Sequence, residues 1–158
     1  LGMAAVLQEK GRFEQALEIL ESVDVVDLGP AWAASVTQSL VSSELAMGQI
    51  EGAQARWKAL LGDWSEHDEA KSQANLGLAE IALQLGETQN ALKLYESVAA
   101  ESLDRFFQAQ AQIGVGRVLV AEGKPAEAAD GLEAMLREYS DQPEMLALAQ
   151  SVLDGLAN

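Results

Sequence analysis

The sequence predicts an all-α fold, built as an array of about four antiparallel helix pairs that ends in a C-terminal capping helix. Three observations predict it: a recurring glycine, apolar residues at fixed distances after that glycine, and a composition rich in the helix formers alanine and leucine. Only 5% of the residues are aromatic, and few stretches show the β-branched alternation expected of strands. The 158 residues suit one compact domain or one short repeat array.

Four glycines mark the repeat, because Gly11, Gly48, Gly86 and Gly123 are separated by 37, 38 and 37 residues. After each glycine an alanine follows at five residues, a large apolar residue at nine and a further apolar residue at twelve. These offsets place all three on one face of a helix. The residues at the three offsets are Ala16, Ala53, Ala91 and Ala128, then Leu20, Trp57, Tyr95 and Leu132, then Val23, Leu60, Val98 and Met135.

Each of these anchor glycines is expected to end a first helix, because glycine readily adopts the left-handed conformation that terminates helices. A second helix then starts within about two residues, and Pro125 fits the first turn of one. Gly2, Gly77 and Gly114 recur nine residues before their anchors, inside the first helices. Glycine there costs about 1 kcal/mol relative to alanine, so we expect close helix packing at all three.

The repeat predicts four units and a cap, over residues 1–29, 30–66, 67–103, 104–142 and 143–158. The predicted helices are 1–9, 12–23, 31–47, 50–61, 68–85, 88–100, 104–121, 125–139 and 144–156, with linkers at 24–29 and 62–67. One helix pair cannot bury its apolar faces alone, so neighbouring units are expected to stack and the last helix to cap them. Because the chain starts at Leu1, inside an expected helix, we interpret it as a fragment of a longer protein.

This pattern resembles the tetratricopeptide repeat over essentially the whole chain. That family has a small residue in the first helix, glycine in the turn and alanine in the second helix, and the resemblance implies a right-handed superhelix. The period here is nearer 37 than the usual 34, and only Pro30 and Pro143 lie near the family's inter-unit proline. Residues 92–95 and 138–143 are similar to bacterial cell-envelope members, which favours the periplasm or envelope over the cytoplasm.

The resemblance implies a protein-interaction scaffold, without catalytic activity, that holds a peptide or protein segment in a concave groove lined by the first helices. The positions that match groove positions of the family, besides Leu45, are Ser35, Gln38, Ser42, Gln73, Leu76, Glu80, Gln84, Gln110, Ile113 and Arg117. For the leucines and Ile113 we favour packing between helices instead. The family's carboxylate clamp, made of lysines, asparagines and an arginine, is absent, since its positions hold amides, Ser42, Leu76 and Glu80.

Glu80 and Arg117 both lie six residues before their anchor glycines. Equivalent positions on adjacent first helices should be neighbours, so the sequence predicts an ion pair between them. Such a pair contributes about 0–1 kcal/mol when solvent reaches it. We expect it to hold Arg117 where a partner meets it.

The formal charge of −15, with 10 basic and 25 acidic residues, argues against nucleic-acid and anionic-membrane partners. The charge keeps a domain soluble, and an alternative interpretation is steering toward a basic protein partner. No apolar run approaches the roughly 20 residues that a membrane helix needs, so we expect no membrane insertion by this segment. The absence of cysteine excludes disulfides and thiolate metal sites.

Little in the sequence indicates catalysis, a metal or a cofactor. The single histidine, His67, is interpreted as a solvated residue at a helix start rather than as a metal ligand. Gly114 and Gly116 do not begin a dinucleotide motif, because the third position is Leu119 and no strand precedes. Two further hypotheses are a self-assembly module that forms homo-oligomers and a small hydrolase with a carboxylate site. Among the tryptophans, Trp57 is predicted in the core. Trp32 and Trp64 lie near unit junctions, where we favour packing beneath a loop over the alternative that either is exposed and binds a partner.

Overall fold

The structure is a computed structural model, and it describes residues 1–23 and 29–156. Over these residues it contains nine α-helices and no strand. The helices are α1 (Gly2–Glu9), α2 (Phe13–Glu21), α3 (Pro30–Ala46), α4 (Ile50–Asp63), α5 (Asp68–Gln84), α6 (Thr88–Glu101), α7 (Arg105–Ala121), α8 (Pro125–Glu138) and α9 (Pro143–Leu156). The predicted all-α helical repeat array is confirmed.

Each predicted helix is present, and its ends differ from the predicted ones by at most two residues. The predicted linker at 62–67 is shorter than expected, because α4 continues to Asp63 before a turn over residues 64–66. Residues 24–28 of the other predicted linker, and residues 157–158, lie outside the described residues. Pro30, Pro125 and Pro143 each begin a helix, where the missing proline N–H has no helical partner to lose.

The anchor glycines end the first helices as predicted. All four have positive φ, between 70° and 77°. The same pair of hydrogen bonds closes each helix, as at Gly86, whose N–H donates to the Leu83 carbonyl at 3.0 Å while the Glu87 N–H donates to the Ala82 carbonyl at 2.8 Å. This is the Schellman arrangement, in which a left-handed residue satisfies the last carbonyls of the helix.

The chain divides into two compact units, residues 1–77 and 78–158, with the division inside α5. In the first unit α1 packs on α2, α2 on α3, and α3 on α4. One apolar cluster of this unit contains Ala4, Leu7, Ala16, Leu20, Val36 and Leu40. Ala16 and Ala53 are fully buried, which fits their predicted role as the points where two helices approach closely.

The second unit contains the end of α5 and α6 to α9. There α6 packs on α7, α7 packs on α8, and α9 packs on both α7 and α8. Met145 and Ala149 of α9 are buried in one cluster with Leu132, Met135 and Tyr139. Within this unit α9 therefore caps the preceding helices, as predicted.

Two of the three glycines that recur nine residues before their anchors lie against an aromatic ring. A Cβ atom on Gly77 would come within 2.2 Å of the Trp57 ring, and one on Gly114 within 2.3 Å of the Tyr95 ring. No real Cβ atom tolerates such contacts, so these positions admit only glycine unless the helices move apart. The expectation was wrong for Gly2, whose Cβ would meet nothing within 4 Å. No side chain of the described residues packs against Gly2 as the aromatic rings pack against Gly77 and Gly114.

Candidate peptide-binding surface

The exposed side of α3 is a polar stripe with a tryptophan at its start. Trp32, in the first turn, is 57% exposed, and Ser35, Gln38 and Ser42 are exposed as well. These residues recur every three to four positions and therefore share one side of the helix. The opposite side carries Val36 and Leu40 in the apolar cluster of the first unit.

The polar stripe of α3 carries no charge, although the chain as a whole has a formal charge of −15. The one charged residue of α3, Glu44, is only 4% exposed. Its carboxylate accepts a 3.0 Å hydrogen bond from Nε of Arg56 on α4, and Arg56 also pairs with Glu21 of α2. Glu44 thus ties α3 to α4 inside the unit and leaves the outer side neutral.

The exposed serine hydroxyls of α3 donate their hydrogens to carbonyl groups of the same helix. Ser35 donates to the Ala31 carbonyl at 3.0 Å, and Ser42 donates to the Gln38 carbonyl at 2.8 Å. A hydroxyl that donates its hydrogen to a carbonyl of its own helix can still accept hydrogen bonds through its lone pairs. The Gln38 amide nitrogen lies 3.4 Å from the Ser42 oxygen, which leaves the Gln38 carbonyl oxygen for other donors. The stripe therefore favours a ligand rich in N–H donors.

The predicted ion pair between Glu80 and Arg117 is confirmed in the second unit. Nη1 of Arg117 lies 2.5 Å from Oε1 of Glu80, and the same oxygen accepts a 2.6 Å hydrogen bond from the Tyr95 hydroxyl. The side chains of Arg117 and Glu80 are 42% and 36% exposed, so solvent screens the pair. Burial, followed by the hydrogen bond to Glu80, raises the pKa of Tyr95 well above its ordinary value.

A cavity of about 490 Å³ opens beside Arg117 in the second unit. Its walls combine the ends of α5 and α7 with the last turns of α9. The lining residues besides Arg117 are Leu83, Val120, Ala121, Ser151, Val152, Gly155 and Leu156. This lining is mainly aliphatic, so the cavity suits an apolar side chain next to a guanidinium group.

The ten predicted groove residues differ in how accessible they are. Leu76 and Ile113 are buried, at 4% and 6% exposure, so they pack in the core as we favoured and cannot contact a partner. Gln73 and Gln110 are half-buried, and Gln84 is exposed. The structure brings Glu80 and Arg117 together in the second unit, and Ser35, Gln38 and Ser42 together on α3.

The three tryptophans differ in their exposure to solvent. Trp57 is buried as predicted, with 1% exposure. The expectation that Trp32 packs beneath a loop was wrong, since the ring extends from the first turn of α3 into solvent. Its spacing of three from Ser35 would have placed it on the polar stripe, and this was the signal that could have found it. Trp64 is half-buried and meets the exposed His67 ring edge-on, with 5.3 Å between ring centroids.

The described residues offer few features of other site types. No group of three or more histidine or acidic side chains is close enough there to hold a metal ion. None of the described helices has the length and apolar character required to cross a bilayer. The partly exposed faces of the first helices therefore remain as the candidate binding surface of the described residues.

Residues 39–105 match the family model of the tetratricopeptide repeat. Over this stretch the chain is similar to the tetratricopeptide repeat. The matched stretch includes the anchor glycines Gly48 and Gly86, whose spacing of 38 residues indicated the repeat in the sequence. Tetratricopeptide repeats are generally protein–protein interaction modules and are typically non-catalytic.

Among solved structures, the chain is similar to a crystallised variant of a candidate kinesin light chain from Podospora anserina with nearly identical TPR-like repeats. The TM-score is 0.68 at 20% sequence identity, over 99% of this chain and 90% of that chain. At this identity the likeness shows the fold alone, and it extends the tetratricopeptide-like architecture beyond the residues matched by the family model. No curated protein sequence matches the chain significantly.

Proposed function

We propose that this chain is an interaction scaffold that binds an extended, basic peptide segment of another protein along the polar stripe of α3. The observation that carries the proposal is an uncharged, acceptor-rich stripe, headed by a 57% exposed tryptophan, on a strongly acidic chain. Tryptophan is enriched among residues that dominate binding energies at protein interfaces.

The chemistry of the stripe favours lysine or arginine in the ligand. The oxygens of Ser35, Gln38 and Ser42 can accept from backbone N–H groups and from ammonium or guanidinium groups. The Trp32 ring can stack on a cation, which contributes about 0.5–1 kcal/mol at an exposed site. The net charge of −15 raises the encounter rate of a basic segment and suppresses acidic competitors.

The second unit, taken by itself, offers a different set of groups for a peptide segment. Arg117 supplies donors for carbonyl oxygens, of which any extended peptide has one per residue, and Glu80 holds its guanidinium in place. The adjacent cavity accepts an aliphatic side chain. Arg117→Ala is expected to weaken the binding of a segment that contacts the second unit, with little effect on folding, because an exposed pair contributes only about 0–1 kcal/mol to stability.

The test begins with a random peptide library displayed on phage and selected against residues 1–158. Selected peptides are then titrated calorimetrically against wild type, Trp32→Ala and Gln38→Ala. Loss of an interface tryptophan should raise Kd by about tenfold or more. The controls remove an exposed glutamine and an exposed apolar side chain elsewhere: Gln15→Ala on α2, and Leu103→Ala, whose side chain is 87% exposed. Both should leave Kd unchanged.

Two results would refute the proposal. One is a set of selected peptides that lacks lysine and arginine. The other is binding that Trp32→Ala and Gln38→Ala leave intact while the Gln15→Ala control weakens it. Circular dichroism of every variant separates a lost contact from a lost fold, since Trp32 and Gln38 lie outside the apolar clusters.

A further inference from the structure

The cavity beside Arg117 has the size of a small-molecule site. Its volume is about 490 Å³, whereas a protein cavity of about 150 Å³ already holds benzene. All of its lining residues belong to the second unit and come from α5, α7 and α9. Small-molecule sites typically have roughly 300–1,000 Å³, with mostly apolar walls and a few polar groups. The cavity can therefore hold a ligand larger than one peptide side chain.

The apolar part of the lining favours an aliphatic ligand. Leu83, Val120 and Val152 contribute branched side chains, and no described residue of the lining is aromatic. A ring that entered the cavity would find no stacking partner there, whereas a flexible methylene chain can follow the wall. Val120 is 37% exposed, so water contacts its apolar surface until a ligand covers it. Each CH₂ group that the cavity buries should lower Kd by about fourfold.

Two polar side chains, Arg117 and Ser151, interrupt this apolar wall. Arg117 is the one charged residue among the described lining residues, so the wall carries a positive group on a chain with a formal charge of −15. A guanidinium has five N–H donors in a planar fork that matches the two oxygens of a carboxylate. The Ser151 hydroxyl is a further donor in the same wall. The polar groups therefore favour a carboxylate at one end of the aliphatic ligand.

Glu80 holds the guanidinium of Arg117 without using all of its donors. Nη1 of Arg117 donates to Oε1 of Glu80, so Nε and Nη2 can donate to a ligand. The same oxygen accepts a 2.6 Å hydrogen bond from the hydroxyl of Tyr95, whose ring is 1% exposed, and this fixes Glu80 to the core of the unit. Glu80 is thus a positioning residue, which reduces the cost of ordering Arg117 when a ligand binds. Solvent reaches its side chain and screens its repulsion of a second carboxylate.

We propose that this cavity binds a medium-chain aliphatic carboxylate, with its tail against Leu83, Val120 and Val152 and its carboxylate on the guanidinium of Arg117. The ligand occupies the space that an aliphatic side chain of a bound peptide would use, so the two exclude each other. Because the site lies in the second unit, the proposal does not depend on peptide binding along the polar stripe of α3.

The test is a titration of residues 1–158 with decanoate, followed through the methyl signals of isotope-labelled leucine and valine. The signals of Leu83, Val120 and Val152 should shift, and those of Leu20 and Leu40, in the apolar cluster of the first unit, should not. Octanoate buries two fewer CH₂ groups and should bind about tenfold more weakly. Equal affinity for the two acids, or shifts that leave the cavity residues unchanged, overturns the proposal.

Decanol separates recognition of the carboxylate from burial of the tail. It should bind wild type about tenfold more weakly than decanoate does, and Arg117→Gln should remove most of this difference by weakening decanoate alone. Arg117→Lys keeps the charge but loses the planar fork, so its Kd for decanoate should lie between the two. Arg137→Gln, at an exposed position of α8 outside the cavity, is the matched control and should change neither Kd. Equal binding of decanoate and decanol to wild type, or equal effects of Arg117→Gln and Arg137→Gln, contradicts the proposal.

Two further variants locate the ligand. Ala121→Phe fills the cavity from an exposed position at the end of α7 and should abolish decanoate binding with the helical circular dichroism unchanged. If this variant loses its helical signal, the comparison of Arg117→Gln with Arg137→Gln decides alone. Trp32→Ala should leave decanoate binding unchanged, which distinguishes a failure here from a failure of the proposed function. Binding that survives in folded Ala121→Phe, or that Trp32→Ala removes, refutes this site.

A peptide that ends in leucine is the last ligand to compare, because its end also combines an aliphatic group with a carboxylate. We expect it to bind more weakly than decanoate, since it buries a shorter aliphatic chain. A peptide of this kind that binds more tightly than decanoate, and whose binding Arg117→Gln weakens, would assign the cavity to the chain end of a protein partner and overturn the proposal.

Discussion

At the scale of single residues, size matching between glycine and an aromatic ring determines how closely two helices approach. Gly114 lies in the middle of α7, where glycine weakens a helix by about 1 kcal/mol relative to alanine. The tyrosine ring against it explains why the helix has this residue, because burying such a ring contributes more than the helix loses. The same argument applies to Gly77 and Trp57.

Gly114→Ala should therefore destabilise the chain despite its better helix propensity. A Cβ atom 2.3 Å from the Tyr95 ring forces the helices apart, and overpacking of this kind costs about 1–3 kcal/mol. Gly2→Ala is the matched control, since nothing opposes its Cβ atom, and it should be neutral or stabilise by up to about 1 kcal/mol. Urea denaturation measures both. Equal effects of the two substitutions would show that the ring does not restrict position 114.

Tyr95 and Tyr139 give the chain an alkaline limit to its stability. Burial raises the pKa of both tyrosines, and for Tyr95 the Glu80 carboxylate raises it further, above the ordinary 10.0. The folded chain then holds protons that the unfolded chain releases, so stability is full below pH 10 and falls as the pH rises above it. Tyrosinate absorbance should appear together with the loss of helical circular dichroism. Ionisation of both tyrosines near pH 10 with the helices intact would contradict this account.

At the scale of helices, glycine with positive φ ends each first helix and lets the second begin at once. Gly86, at φ 77°, should resist substitution, because a Cβ atom in the left-handed region costs about 1–2 kcal/mol. Gly86→Ala is therefore expected to destabilise by this amount in urea denaturation. Gly131→Ala, on the exposed side of α8, should instead stabilise by up to about 1 kcal/mol. Stabilisation by both substitutions would show that the turn does not need a left-handed residue.

The helices were predictable because their ends have local causes. Glycine at the turn, proline at the start and alanine at the crossing act over a few residues, which a single sequence reveals. The surroundings of Gly2 and Trp32 depend on what packs against them from elsewhere. The sequence pattern treats Gly2 like Gly77, and only the structure reveals that no ring reaches it.

The candidate site was predictable to a similar degree. Equivalent repeat positions predicted that Glu80 and Arg117 meet, because a repeat converts spacing along the chain into proximity in space. The cavity beside Arg117 was not predicted, since α9 contributes Ser151, Val152 and Leu156 to it and α9 lacks the repeat register. The helical repeat alone does not specify where a terminal helix leaves an opening.

At the scale of the whole molecule, the charge is distributed so that the exposed stripe of α3 remains uncharged. Acidic side chains are exposed on α2 and α4, for example Glu14, Glu18 and Glu51, whereas the single acid of α3 is buried against Arg56. In the proposed function, the net negative charge first attracts a basic segment over a long range. The uncharged, acceptor-rich stripe of α3 then contacts that segment. This division of roles is the central claim of the proposed function.

The most direct test of that claim is a titration of isotope-labelled residues 1–158 with a selected basic peptide, followed by heteronuclear nuclear magnetic resonance. The indole N–H of Trp32 and the side-chain amide of Gln38 should shift most, with smaller changes along the backbone of Ser35 and Ser42. The indole N–H of Trp57, which is buried, should not move. Shifts confined to the acidic outer sides of α2 and α4, with Trp32 unaffected, would contradict the account.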